Sequence, residues 1–282
     1  MKKESLLYNA IKSDAVVVQG DAVPFYAFRE LLSEPEVRHG LATRFGGVSE
    51  GCFGELNLGY GRGDAAEHVT ENFKRICEAI GTDVSKIVLP KQVHELNVRR
   101  VTKEDFGKGV FVPLDYESVD AQITNERGAV LAVFGADCVP ILFYDPVQHA
   151  IGAAHAGWRG SIGRIAAITV EKMKQEFGTE PADVKAYIGP SICGDCYEVD
   201  GEVAKRFLRE FPEATKPLPG GKCLLDLWKV NCIVLLSAGL SEEHITIGQL
   251  CTKCNPEVFF SHRVMGDARG NLACFISLAE EC

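Results

Sequence analysis

Between residues 128 and 192 the chain breaks into short apolar runs separated by turn residues: GAVLAVFGA, VPILFYD, AIGAAHA and VKAYIGPSI. Each is rich in Val, Ile and Ala and is short enough to read as a buried strand. Other stretches follow the 3.6-residue period instead. In SIGRIAAITVEKMKQEFG, residues Ile162, Ile165, Ala166, Thr169, Met173 and Phe177 fall on one apolar face, and Gly178 supplies the stop. AAEHVTENFKRICEAIG does the same with Val69, Phe73, Ile76, Cys77 and Ile80, and it too ends on a glycine. GEVAKRFLREF and LDLWKVNCIVLLSAG read as a third and a fourth helix. Strands and helices interleaved in this way predict a layered α/β (α+β) fold. No stretch is repeated, low in complexity or linker-like, so residues 1–282 are expected to form a single domain.

One strand pair carries chemistry. ADCVPILFYDPVQHAIGAAHAGWRG, residues 136–160, reads as a β-hairpin with a histidine and a cysteine near its two ends. A turn over Asp145–Gln148 pairs Tyr144 with His149 and places Cys138 opposite His155. Directly opposed residues have Cβ atoms about 4.5 to 5.5 Å apart, within reach of a shared ion or a hydrogen bond. A bulge near Pro140 would slip that register. Three interpretations stay open from the hairpin alone: a nucleophile and its base, two ligands of one metal, or a small buried thiol beside a hydrogen-bonded core histidine. Asp137 precedes the cysteine, and HAGWRG sets Gly157, Trp158, Arg159 and Gly160 between a strand end and a helix start. Free N–H groups at such a turn suit an anion such as phosphate.

Composition narrows the field. The 282 residues include 39 acidic and 30 basic side chains, a formal charge of −9, with no basic run of the kind nucleic-acid binders carry. No apolar run approaches the ~20 residues of a membrane span, and no signal-peptide core follows the two N-terminal lysines. A cytoplasmic protein, without nucleic-acid or membrane partners, is expected. Eleven cysteines in a long chain of this kind read as reduced thiols rather than a disulfide framework. Two C-x-x-C pairs, Cys193/Cys196 and Cys251/Cys254, are separated by 54 residues, more than a zinc ribbon normally spans, so free loop thiols are expected there. Neither a dinucleotide-binding glycine loop nor an ATP-type phosphate loop is present.

Several segments together resemble the bacterial YfiH/YlmD-type laccase-domain family: TRFGGVSEGCFGELNLG, KQVHELNV, VDAQITN, ADCVPILFYDP, HAGWRG, IGPSICGDCYEVD and FFSHR, in that order over residues 38–278. Members have been labelled multicopper polyphenol oxidoreductases and also purine nucleoside phosphorylases with adenosine deaminase activity. The resemblance implies a layered sandwich of mixed β-sheets flanked by helices, akin to the cytotoxic necrotizing factor deamidases, with residues 1–37 as an N-terminal strand or extension packed on it. It also implies a metal site of His94, Cys138 and His155, since two imidazoles and one thiolate suit zinc with a fourth position open. Copper is the alternative ion, a copper-dependent phenol oxidase the alternative activity, and a metal-free Cys–His hydrolase a third. The implied substrates are adenosine, inosine, guanosine or methylthioadenosine, with inorganic phosphate as co-substrate. Arg44 and Arg263 match family arginines and are expected at phosphate or substrate, with Asn57 and Gln92 as weaker nucleoside contacts. His262 stands where many relatives carry tyrosine. A monomer or weak homo-oligomer is expected.

Overall fold

The computed structural model describes residues 15–19 and 23–280. The chain enters with β1 (Ala15–Gln19), β2 (Pro24–Phe28), a short helix α1 (Arg29–Leu32) and β3 (Val37–Ala42), whose strands form an antiparallel meander. The expected N-terminal extension thus supplies two strands of a sheet; its residues 1–14 and 20–22 lie outside the described residues. Helix α2 (Ala66–Ala79) buries Val69, Phe73, Ile76 and Cys77, the face its periodicity predicts. There follow β4 (Ile87–Val88), β5 (Val98–Arg100), β6 (Ala121–Thr124), β7 (Val130–Gly135), β8 (Val139–Asp145) and β9 (Ala150–Ala156). Two helices, α3 (Trp158–Ile162) and α4 (Ile165–Phe177), lead to β10 (Lys185–Ile188) and β11 (Glu198–Val199). The last third comprises α5 (Gly201–Glu210), β12 (Thr215–Leu218), β13 (Lys222–Leu225), α6 (Leu227–Ser237), β14 (Ile245–Ile247), α7 (His262–Met265) and β15 (Leu272–Leu278).

Two six-stranded mixed sheets, ordered β1-β2-β3-β15-β7-β4 and β14-β10-β8-β9-β6-β5, face each other, and a small sheet β11-β13-β12 lies to one side. Phe28, Leu41, Leu131, Leu142, Tyr187 and Ile276 fill the space between the large sheets. Helix α2 covers the outer face of the first sheet through Phe73 and Ile76, while α4 and α6 cover the second through Ile165, Met173 and Val234. Sheets covered on both faces explain why β8 and β9 are apolar without alternation: every residue of both strands is buried.

Two local expectations are corrected. The helix predicted over 161–178 is broken at Arg164, which turns the chain at φ 62°, and a Cβ at the preceding Gly163 would lie 2.7 Å from Leu96 Cδ2. The β8–β9 register is also two residues from the predicted one, with His155 opposite Pro140 and Asp145 opposite Ala150. The cause is the turn. Asp145 Oδ1 accepts from the N–H groups of Val147 and Gln148 at 2.8 and 3.1 Å and His149 adopts φ 47°, so the loop is 146–149. A shift of two keeps the faces, and Cys138 and His155 still share a side of the ribbon.

Candidate metal centre

Three separate segments deliver His94, Cys138 and His155 to one point, their ligating atoms all within 4.8 Å of one another. His155 lies near the end of β9 and is 3 % exposed. Cys138 immediately precedes β8, and His94 sits on the loop between β4 and β5 with its ring centroid 4.7 Å from that of His155. Behind them lies Asp120, which is buried. Its Oδ1 accepts from His155 Nδ1 at 2.9 Å and from His94 N at 3.0 Å, and its Oδ2 accepts from Val93 N and Glu95 N, both at 3.0 Å. One carboxylate therefore fixes the ring of one histidine and the backbone of the other. With Nδ1 committed to Asp120, the Nε2 lone pair of His155 is the one free to bind a cation.

The surroundings favour a positive charge on His155 and oppose one on His94. Burial opposes the charged form of His155, but the facing Cys138 sulfur and the Asp120 carboxylate raise it to about 9. Burial, and then the charge of His155, lower His94. Asp120 is held below the usual carboxylate range by His155 and the backbone donors, against burial. The fit for a metal ion is also steric: a Cβ at Gly157 would lie 3.0 Å from Cys138 Sγ and 3.0 Å from His94 Nδ1, so glycine keeps the space between two donors clear.

Two cavities meet at the triad. One, of about 330 Å³, has Trp158, Ile192, Tyr197 and Leu227 in its walls, with Asp137, His262 and Arg263 among its polar groups. The other, of about 280 Å³, is lined by Gln92, Phe134, His155 and Asn271. His94, Cys138, Arg62 and Arg269 line both. A larger cavity of about 500 Å³ touches the second through Phe134 and Asn271, but no His, Cys, Asp or Glu lines it.

Of the remaining candidates, Gln92 and Arg263 reach the cavities and Arg44 and Asn57 do not. Gln92 exchanges hydrogen bonds with the backbone of Phe134 at 2.7 and 3.0 Å. Arg263 donates Nη1 to Glu198 O at 3.0 Å and lies over the Tyr197 ring. Arg44 instead spends its guanidinium on Gly54 O and Pro256 O, tying two loops together. Asn57, fully buried, bonds to Gly59, Asp64 and Asn271. The arginines that line both cavities are Arg62 and Arg269, and Arg269 is 8 % exposed with its Nε lacking a partner among the described residues. Burial and the nearby Arg62 lower Arg269 to about 10. Neither arginine is flagged by spacing, since each sits in a glycine-flanked loop; Asp120 carried a signal, a lone acid entering an apolar strand within VDAQITN. The two C-x-x-C pairs, distant in sequence, also converge.

Comparison with known proteins agrees with this architecture. A family model described as multi-copper polyphenol oxidoreductase laccase matches residues 38–279. The chain is 37% identical over 253 residues to "Purine nucleoside phosphorylase YlmD" of Bacillus subtilis (strain 168), covering 87% of this chain and 90% of that protein. It is 35% identical over 215 residues to "Adenosine deaminase RL5" from an unknown prokaryotic organism, covering 72% and 79%. The crystal structure of YlmD from Geobacillus stearothermophilus superposes with a TM-score of 0.86 at 33% identity, over 94% of this chain and 100% of that one. The chain belongs to the YfiH/YlmD-type laccase-domain family.

Proposed function

We propose that the protein is a zinc-dependent purine nucleoside phosphorylase that also deaminates adenosine. The observation that carries this is the convergence of His94, Cys138 and His155 where two cavities meet, with a buried, incompletely paired arginine beside them. The names of the relatives supply the substrate class. His94, Cys138 and His155 would hold the ion, three protein donors leaving a position for a ligand. When bound, zinc supplies the Lewis acidity that activates water or a departing purine near neutral pH.

The chain's own residues divide the remaining work. Trp158 and Tyr197, with Ile192 and Leu227, offer an apolar wall for a purine in the 330 Å³ cavity. Arg62 and Arg269 supply the charge for phosphate, and Arg269 gains an acceptor for its orphaned Nε. Phosphorolysis needs that phosphate beneath the ribose, where its oxygen bonds to C1′ as the bond to the purine nitrogen breaks. Asp120 keeps His155 in the metal-binding tautomer while this occurs.

The test is zinc-loaded protein incubated with inosine with and without phosphate, and with adenosine, followed by chromatography. Hypoxanthine and ribose 1-phosphate in equal amounts, dependent on phosphate, and inosine from adenosine are expected. Neither product from fully metallated protein would overturn the proposal. A His₂Cys donor set also suits a mononuclear copper site, which keeps the phenol-oxidase alternative in view. A multicopper oxidase, however, needs several further histidines. The chain has 7 in all, and among the described residues only His94 and His155 lie together in a metal-binding group. Stoichiometric copper with oxygen uptake on a phenol would favour that alternative.

A further inference from the structure

We propose that Cys193, Cys196, Cys251 and Cys254 form a second zinc site, closed and structural, that ties two loops into the wall of the 330 Å³ cavity. The fold brings them together through its topology. Strands β10 and β14 are parallel neighbours, with Ala186 opposite Ile245 and Ile188 opposite Ile247, so the chain leaves the sheet twice at the same end. Pairing continues beyond the strands: Ser191 bridges Cys251, Ser191 N donates to Leu250 O at 3.0 Å, and Thr252 N donates to Ser191 O at 3.2 Å. The 54 intervening residues fold away as β11, α5, β12, β13 and α6 and return through β14. Ribbon spacing fails as a guide because adjacent strand ends do here what a local hairpin does in a zinc ribbon.

Each pair is shaped as a knuckle. Cys196 N donates to Cys193 O at 3.0 Å and Asn255 N to Cys251 O at 3.2 Å, curling each C-x-x-C so that both sulfurs face one side. The backbone N–H groups of Cys193 and Cys254 both point at Cys251 Sγ, at 3.4 Å, as donors do toward a thiolate. All four sulfurs lie within 4.8 Å of one another, and Cys196 Sγ is 3.4 Å from Cys254 Sγ. A disulfide requires about 2.05 Å. A tetrahedral zinc about 2.3 Å from each sulfur spaces the sulfurs about 3.8 Å apart, between those two observed limits. Soft thiolates select such an ion, and Cys254, exposed, gives it an entry path. Binding requires only that the thiols release protons; no oxidant or reductant takes part.

The position gives the site a purpose. Ile192 and Tyr197, which line the cavity, flank the first pair. Thr252, inside the second pair, donates Oγ1 to Asp137 Oδ1 at 2.6 Å, and Ile192 N donates to Asp137 O at 3.0 Å, beside the Cys138 ligand. An ion across the two pairs thus fixes the segment that presents Cys138.

The experiment uses the Cys138→Ala chain, which removes a donor from the other centre. Purified from cells, it is expected to keep about one zinc through gel filtration, and the further change Cys251→Ser to abolish that zinc. Cobalt exchanged into the Cys138→Ala chain should show intense tetrahedral ligand-field bands with strong thiolate charge transfer. Should the double variant fail to fold, alkylation and peptide mapping of the Cys138→Ala chain replace it: Cys193, Cys196, Cys251 and Cys254 are expected to be shielded together and to become reactive together on chelation, with exposed Cys52 as the reactive control. A metal-free chain, a disulfide among the four, or iron with acid-labile sulfide overturns the proposal. Because the first centre is disabled throughout, none of these outcomes bears on the nucleoside activity.

Discussion

Replacing Asp120 by Asn tests whether one buried carboxylate organises the metal centre. The aspartate oxygens accept four hydrogen bonds, from the N–H groups of Val93, His94 and Glu95 and from His155 Nδ1. An asparagine has one acceptor oxygen and one donor nitrogen, so whichever way it turns, its NH₂ meets two donors. If the nitrogen takes the Oδ2 position it opposes Val93 and Glu95, and the loop carrying His94 comes loose. If it takes the Oδ1 position, His155 must accept at Nδ1 and protonate Nε2, which then cannot bind a cation. The first orientation loses two hydrogen bonds to a charged acceptor and the second loses one and reverses another, at about 1.5–3 kcal/mol for each bond lost, or about 1.5–6 kcal/mol before relaxation. Loss of the group that orients a ligating histidine lowers metal affinity by roughly 10- to 100-fold. Chelator competition measures the affinity, and urea unfolding of wild type and variant, both metal-free, measures stability. A variant with wild-type zinc affinity and an unchanged urea midpoint would refute the reasoning.

Gly157→Ala should lower zinc affinity and leave the metal-free urea midpoint nearly unchanged, because the Cβ intrudes between Cys138 and His94 while the backbone, at φ −63°, accepts alanine without strain; unaltered metal binding would show that the space between the donors is not needed. Arg269→Gln is expected to raise the KM for phosphate by roughly tenfold and to leave adenosine deamination, which uses no phosphate, much less affected. Equal loss of both reactions would place the arginine elsewhere in the mechanism. Burial holds His39 at about 4, well under its ordinary 6.5, while its Nε2 accepts the Phe28 N–H at 2.8 Å. The unfolded chain protonates this ring near pH 6.5 and the folded one only near 4, so stability is complete above 6.5 and falls by about 3 kcal/mol as pH drops through that window. Urea titrations from pH 7 to 4 should show a shallower loss in His39→Gln; parallel curves would count against the linkage.

The sequence reveals elements more readily than the joints between them. The strands VPILFYD and AIGAAHA are recovered residue for residue, since burial on both faces leaves an unbroken apolar run. Their register differs from the expected one by two residues because one side chain, Asp145, moves the turn by capping two N–H groups. The helix after HAGWRG has the right period on both sides of its break, and nothing in 161–178 alone discloses that Leu96, from a distant loop, crowds Gly163. The resemblance names His94, Cys138 and His155, and the fold brings these three side chains together. Arg44 matched a family motif equally well and proved to be a loop clamp. Motif membership does not distinguish a residue that meets a ligand from one that holds the loop presenting it. Arg62 and Arg269 were invisible for the opposite reason, because their meeting depends on how two glycine-flanked loops fold over one another.

The same clamp logic governs both ligand loops. His94 has φ 64° and Asp137, next to Cys138, has φ 91°, conformations that cost a non-glycine residue about 1 kcal/mol or more. Each is offset by a carboxylate. Asp120 gathers three successive N–H groups around His94, a curl that needs a left-handed residue at its centre. Asp137 uses its own two oxygens on Thr252 Oγ1 and Arg263 N, both at 2.6 Å. The strained turns aim Cys138 and His94 across at His155, which the regular geometry of β9 already holds. A centre built this way has its donors held by hydrogen bonds of the chain itself, so binding spends little on ordering the chain. At the centre the left-handed turns fall at His94 and beside Cys138, and the carboxylates that sustain them bond to the chain.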